Sequence, residues 1–371
     1  MKIYHSFGLL LTLCVGYLTG AEVTMAEPAL IMSEFWGHRF PVAAAAGIDS
    51  AGSSRPSILS VDTTGKIIFW NTETSNITWE AQLGSPSANG RVSIATSPDS
   101  KSAVIFRNNS PANIYNVLSG KVIQTLRVPD TATDETWNFG AFSPDSRRFA
   151  VISMDRDIRM FDVQTGLQTA ALENPHDPEN EEHAKVGFSR DGLFVVAFTS
   201  DAITVYDAIT LAAVKSLPLG DLGRPDFARF SHDMRMIAIA TDSDILIINA
   251  ETLETMFKIK KHLEGNPGIA YTTNMEFDSQ SKELHMLHYV LEVPPDSYYQ
   301  FHFRFHYEII NTLNGRKVLS DLINRQRYTI HNPSDTIYTA SCLLPSSKIV
   351  IISKTGLLDD FPLVIWKVPS P

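Results

Sequence analysis

Cysteine is scarce. The chain has two, Cys14 and Cys342, and Cys14 lies within an apolar run near the N-terminus. A disulfide framework is therefore excluded, and stability must come from a packed core. Beyond that first run there is no stretch of 18 unbroken apolar residues, so no later membrane span is expected. Basic residues are outnumbered, with 31 Lys and Arg against 41 Asp and Glu and a formal charge of −10. That balance argues against a nucleic-acid partner. Helical periodicity is missing from the central part of the chain. So are the Gly-x-Ser-x-Gly, His-Glu-x-x-His and phosphate-cradling glycine motifs, so no catalytic residue and no cofactor is expected.

The first residues, MKIYHSFGLLLTLCVGYLTGAEVTMAEP, pair Lys2 with an apolar run from Phe7 to Leu18 and then small residues at Thr19, Ala21, Thr24 and Ala26. The run is short of the roughly 20 residues a span needs. Residues 1–21, or 1–26, read as a secretory signal peptide. Residues 27–371 then form one domain, expected to be periplasmic or secreted, soluble and monomeric.

What fills the chain is a repeat. FSPDSRRFAV begins at Phe142, and related segments begin at Thr96, Phe188, Phe230 and Phe277, spaced by 46, 46, 42 and 47 residues. A second series closes each unit: FWNTETSN at Phe69, IYNVLSGK at Ile114, MFDVQTGL at Met160, VYDAITLA at Val205, IINAETLE at Ile247 and IINTLNGR at Ile309, with VIWKVPSP from Val364 at the end. Between the marks, apolar and polar residues alternate in short β-branched and aromatic runs bounded by turn residues. Each unit reads as four antiparallel strands, and about 45 residues of that kind, repeated, describe a propeller blade.

The endings Trp70-Asn71, Phe161-Asp162 with Thr165-Gly166, and Tyr206-Asp207 resemble those of WD repeats, over nearly the whole mature chain. The Gly-His pair that often opens such a repeat is missing from most units. The fold class expected is all-β, a seven-bladed β-propeller, with six or eight blades as alternatives. The last blade is short of one strand, and Ala29–Phe40 is expected to supply it and close the ring. Asp62, Asp99, Asp145, Asp155, Asp191 and Asp233 are expected to be turn formers rather than catalytic acids.

Three departures from the repeat carry the functional reading. In blade six the stretch 283–310 forms an extended hairpin. Parity sets His288 opposite His306 and Glu292 opposite His302, with Val290 and Arg304 on the same face; Leu287, Tyr289, Phe305 and Tyr307 line the other. The loop into blade four carries Asp177, Glu179, Glu181, Glu182 and His183, and Trp137 stands at the entry to blade three. Along the channel, Arg229 and Glu276 occupy equivalent positions in adjacent blades, which predicts an ion pair, with Lys185 nearby.

These residues point to a non-enzymatic scaffold that engages a protein or peptide through its loop face. The candidate contacts are Trp137, the acidic loop, His288, His302, Arg304 and His306. Two alternatives stand beside it. One is a propeller enzyme of lactonase-like or quinone-dehydrogenase-like type. The other is a metal-binding sensor built on the blade-six histidines, its metal unknown.

Overall fold

The structure, a computed structural model, describes residues 30–35, 37–48, 57–84, 92–107, 112–127, 137–153, 157–173, 185–189, 191–199, 202–219, 225–231, 233, 235–241, 244–261, 270–278, 280–292, 300–329, 341–344, 349–353 and 363–367. Every regular element among them is a strand.

Seven four-stranded antiparallel sheets follow one another along the chain. Sheet one is β2 (Val42–Ile48), β3 (Ser57–Asp62), β4 (Lys66–Asn71) and β5 (Asn76–Gln82), preceded in the chain by β1 (Leu30–Phe35). Sheet two is β6 (Val92–Thr96), β7 (Ser102–Arg107), β8 (Asn113–Asn116) and β9 (Val122–Thr125). Sheet three is β10 (Trp137–Phe142), β11 (Arg148–Ser153), β12 (Ile158–Asp162) and β13 (Gln168–Leu172). Sheet four is β14 (Lys185–Phe188), β15 (Phe194–Phe198), β16 (Ala202–Asp207) and β17 (Ala213–Pro218). Sheet five is β18 (Pro225–Phe230), β19 (Met236–Thr241), β20 (Asp244–Asn249) and β21 (Thr255–Lys260). Sheet six is β22 (Ala270–Phe277), β23 (Glu283–Glu292), β24 (Gln300–Asn311) and β25 (Lys317–Thr329). Sheet seven joins β26 (Ser341–Leu344), β27 (Ile349–Ser353) and β28 (Leu363–Lys367) to β1, whose Leu30 lies opposite Lys367 and Phe35 opposite Leu363. The first strand of each sheet touches the first strand of the next, and β26 touches β2.

Local chemistry explains why the chain folds this way. In four sheets a Ser hydroxyl donates to the Asp two residues on: Ser97 to Asp99 at 2.6 Å, Ser143 to Asp145 at 2.5 Å, Ser189 to Asp191 at 2.6 Å and Ser231 to Asp233 at 2.7 Å. The same hydroxyl accepts the N–H five residues on, and the Asp accepts the N–H two residues on. Each hairpin is thus locked by its own side chains. The Asp or Asn that ends the third strand does the same for the next turn, as when Asp162 accepts both the amide and the hydroxyl of Thr165 at 2.8 Å. Asp155 lies outside the described residues.

The core sits between sheets rather than inside one. Ile105 and Tyr115 pack on Leu59 and Ile67; Met160 packs with Val195; Ile239 and Ile248 pack with Val196 and Ile203. Each such aliphatic side chain is worth about 1.5–3 kcal/mol when fully buried. Alternation within a strand therefore serves two seams, one on each face.

Sheet one has a second lock. Gly37-His38 follows β1, and His38 Nδ1 lies 3.1 Å from Asp62 Oδ2 while its Nε2 lies 2.8 Å from Ser60 Oγ. Trp70 Nε1 donates to the same Ser60 oxygen at 2.7 Å. A Cβ at Gly37 would stand 2.7 Å from the Trp70 ring, so only glycine lets the chain pass there. The Gly-His pair, missing from most repeats, thus builds its network in one of them.

Candidate functional site

Sheet six departs from the others in size. Its last three strands run 10, 12 and 13 residues, where the strands of the other sheets run four to seven. The cause is alternation through both arms, so the described ladder continues to Glu292–His302. The register places His288 opposite His306, Val290 opposite Arg304 and Glu292 opposite His302. The hairpin is not two-stranded, however. β25 stays paired to the tip, with Arg325 opposite Arg304 and Arg327 opposite His302. Opposite residues share a face, so the tip gathers Glu292, His302, Arg304, Arg325 and Arg327 on one side. The signal for this lay in the alternation of Arg325 and Arg327, which extends β25 to match its partner.

Burial corrects the expected two-faced ribbon. Leu284, Met286 and Ile310 pack on sheet five through Ala238 and Ile245. His288 and His306 continue that same face inward and are buried, at 0% and 8% exposure. Their rings stack at 5.4 Å with planes 10° apart. An ion must lie near the plane of each imidazole that binds it, and two stacked rings share no such point. Among the described residues no three His, Cys, Asp or Glu side chains gather around a common point. Beside the pair, buried Glu308 accepts from Lys317 Nζ at 2.7 Å and Ser320 Oγ at 3.0 Å.

The opposite face is equally dry at its base, where Leu287, Phe305 and Tyr307 are all at 1% exposure or less. Tyr307 Oη bonds His285 Nδ1, and Glu283 Oε2 lies 3.3 Å from His285 Nε2. Burial, and secondarily the Glu283 charge, push the Tyr307 hydroxyl above its ordinary range.

Along the inner strands, Arg229 Nε donates to Glu276 Oε2 at 3.2 Å, joining sheets five and six. The Arg229 guanidinium stands 4.6 Å from the Phe227 centroid, and Lys185 Nζ lies 3.7 Å from the same ring and 5.0 Å from Phe139. Sheets four and five thus share one aromatic ring between two cations, and Lys185 also reaches a ring of sheet three. At Gly187 a Cβ would meet nothing within 4 Å, so the lining is open there.

Trp137 opens β10 opposite Ser153, and its side chain lies outside the described residues. Asp177, Glu179, Glu181, Glu182 and His183 lie outside them altogether. The side chains of Glu292, His302, Arg325 and Arg327 are placed by register alone.

No family model matches the chain, and no curated protein matches it. Among solved structures it is similar to the β-propeller domain of Myceliophteria thermophila Cps50 (Swd1), with a TM-score of 0.65 at 11% identity, over 92% of this chain and all of that one. The fold is a WD40-like β-propeller. At that identity the likeness concerns fold alone.

Proposed function

We propose that the protein is a non-enzymatic binding platform in which the seven sheets are the blades of one closed ring, its last blade completed by β1. A protein or peptide partner engages the face from which sheet six projects. The observation that carries this reading is the length of β23, β24 and β25. Among the described residues β23 pairs with β22 as far as Ala270–Val290, while β23 and β24 pair on to Glu292–His302 and β24 and β25 to Gln300–Thr329.

A rigid ring holds that tip with little ordering cost on binding. The buried His288–His306 pair supports it from below, and His302 and Arg304 present its contact face. Connectivity starts β14 and β10 on the same side, and the segments leading into them, which carry Asp177, Glu179, Glu181, Glu182 and His183 and end at Trp137, would add acidic and aromatic contacts. Removal of the first 21 or 26 residues leaves a soluble monomer in the periplasm or outside the cell.

The test is affinity capture from the secreted or envelope fraction of the native host, comparing the wild type with an Arg304→Ala, Arg325→Ala, Arg327→Ala variant of unchanged circular dichroism. A partner recovered by the wild type and lost with the variant is expected. Equal recovery overturns the tip as the contact.

A further inference from the structure

Two neighbouring seams share one frame and differ in what fills it. Aligned on their Ser-x-Asp turns, Arg148 of sheet three corresponds to Phe194 of sheet four, Phe188 to Phe230, and Ala208 to Ala250. Between sheets three and four, Arg148 reaches across the seam. Its Nη2 donates to the Gly192 carbonyl at 2.6 Å and its Nη1 to the Ala208 carbonyl at 3.3 Å. Its guanidinium carbon stands 5.6 Å from the Phe188 centroid. Gly192 has φ +71°, and a Cβ there would crowd Nη2 at 3.1 Å, so the turn is shaped around the arginine. Asp145 and Asp207, kept ionised first by the Ser143 hydroxyl and the Thr210 amide respectively, also feel its charge.

One seam further on, no arginine stands at the corresponding position. Phe194 stands at that position, and a groove of about 860 Å³ opens between sheets four and five. Phe194, Phe230, Asp191, Asp233 and Glu251 line it, and Arg235 is the one cation among the described lining residues, with Lys215 Nζ bonded to the Glu251 carbonyl beside it. Ala250, the counterpart of Ala208 whose carbonyl accepts from Arg148, lines it as well. The Ser hydroxyls of the turns hold Asp191 and Asp233 in place, so the negative charges are fixed in position. Among the described lining residues three carboxylates accompany one guanidinium, and such a set beside two aromatic rings complements a cation.

We propose that the groove between sheets four and five binds an arginine side chain of a partner peptide, in the place that Arg148 fills from within one seam earlier. The planar fork suits both halves of the site, since one face stacks on a ring while its edge donates to oxygens. A lysine would offer a point charge without the stacking plane. Chain connectivity puts this groove on the Ser-x-Asp side of the ring, opposite the sheet-six tip, so the inference stands apart from the reading above.

The probe is N-acetyl-arginine methylamide, titrated into purified protein carrying isotope-labelled phenylalanine and followed by NMR. Saturable shifts of the Phe194 and Phe230 rings are expected, with the uncharged citrulline analogue at least about fivefold weaker. Phe194→Arg, which supplies the arginine internally, should keep its melting temperature and abolish the Phe230 shift. Asp191→Asn with Asp233→Asn should weaken binding about fivefold or more without altering the fold, and decides the matter if Phe194→Arg does not fold. No saturable shift, equal response to citrulline, or undiminished binding by the folded variants would overturn the site.

Discussion

His38 lies 3.1 Å from Asp62, and both side chains are 1% exposed although His38 precedes the first sheet in sequence. The contact ties the segment after β1 to sheet one while β1 itself pairs with the last strand. His38→Ala removes a group bonded to both Asp62 and Ser60 and leaves buried polar atoms behind. A loss of about 2–4 kcal/mol in unfolding free energy is expected, read from urea denaturation. Trp70→Phe, which deletes only the donor to Ser60 and part of a ring, should cost less, about 1–2 kcal/mol.

The Arg229–Glu276 pair makes a contrasting case. Its side chains are 41% and 32% exposed, so water screens the attraction. A double-mutant cycle with Arg229→Ala and Glu276→Gln should return a coupling below about 1 kcal/mol that shrinks in high salt. A coupling several times larger would mean the channel lining is drier than the exposures indicate.

The turn carboxylates set the acid limit. The Ser143 and Ser189 hydroxyls hold Asp145 and Asp191 below the ordinary carboxylate range, and at Asp99 and Asp233 partial burial opposes the shift but is outweighed by Ser and amide donors. A depressed folded-state value means the unfolded chain binds protons first as pH falls. Stability is therefore full above about pH 4 and declines below it, through the folded-state values. Urea midpoints measured between pH 6 and pH 2.5 should show that fall, and Asp145→Asn with Asp191→Asn should flatten it.

Tyr307 sets an alkaline counterpart. Its hydroxyl is raised by burial, so above about pH 10 the unfolded chain releases a proton that the folded chain keeps. Stability should decline from there upward, and Tyr307→Phe should lessen the decline. Absorbance titration of the folded protein at 295 nm should show a late-titrating fraction that Tyr307→Phe reduces by one tyrosine.

The sequence made the repeating frame legible because its determinants are local. Ser143 and Asp145 lock their own hairpin, and alternation alone gives the His288–His306 register. What it did not show depends on neighbours distant in the chain. Parity gave His288 and His306 a common face but not their burial, which comes with the packing of that face toward sheet five through Leu284, Met286 and Ile310. His38 fell within the segment Ala29–Phe40 expected to pair with the last blade, and its bonds to Asp62 and Ser60 were not legible because those partners lie more than 20 residues away. The strand β25 reaches the tip because β24 offers it an edge, and in the sequence only the i, i+2 spacing of Arg325 and Arg327 marks it. Arg229 and Glu276 were foreseeable because repeats put equivalent positions side by side.

Photo-crosslinking tests the binding face most directly. A photoreactive residue placed at 302 on the sheet-six tip is compared with one at Leu118, an exposed turn residue on the opposite face. The account predicts a discrete partner adduct from position 302 and none from 118. Adducts from 118 alone, or equal adducts from both, would contradict it.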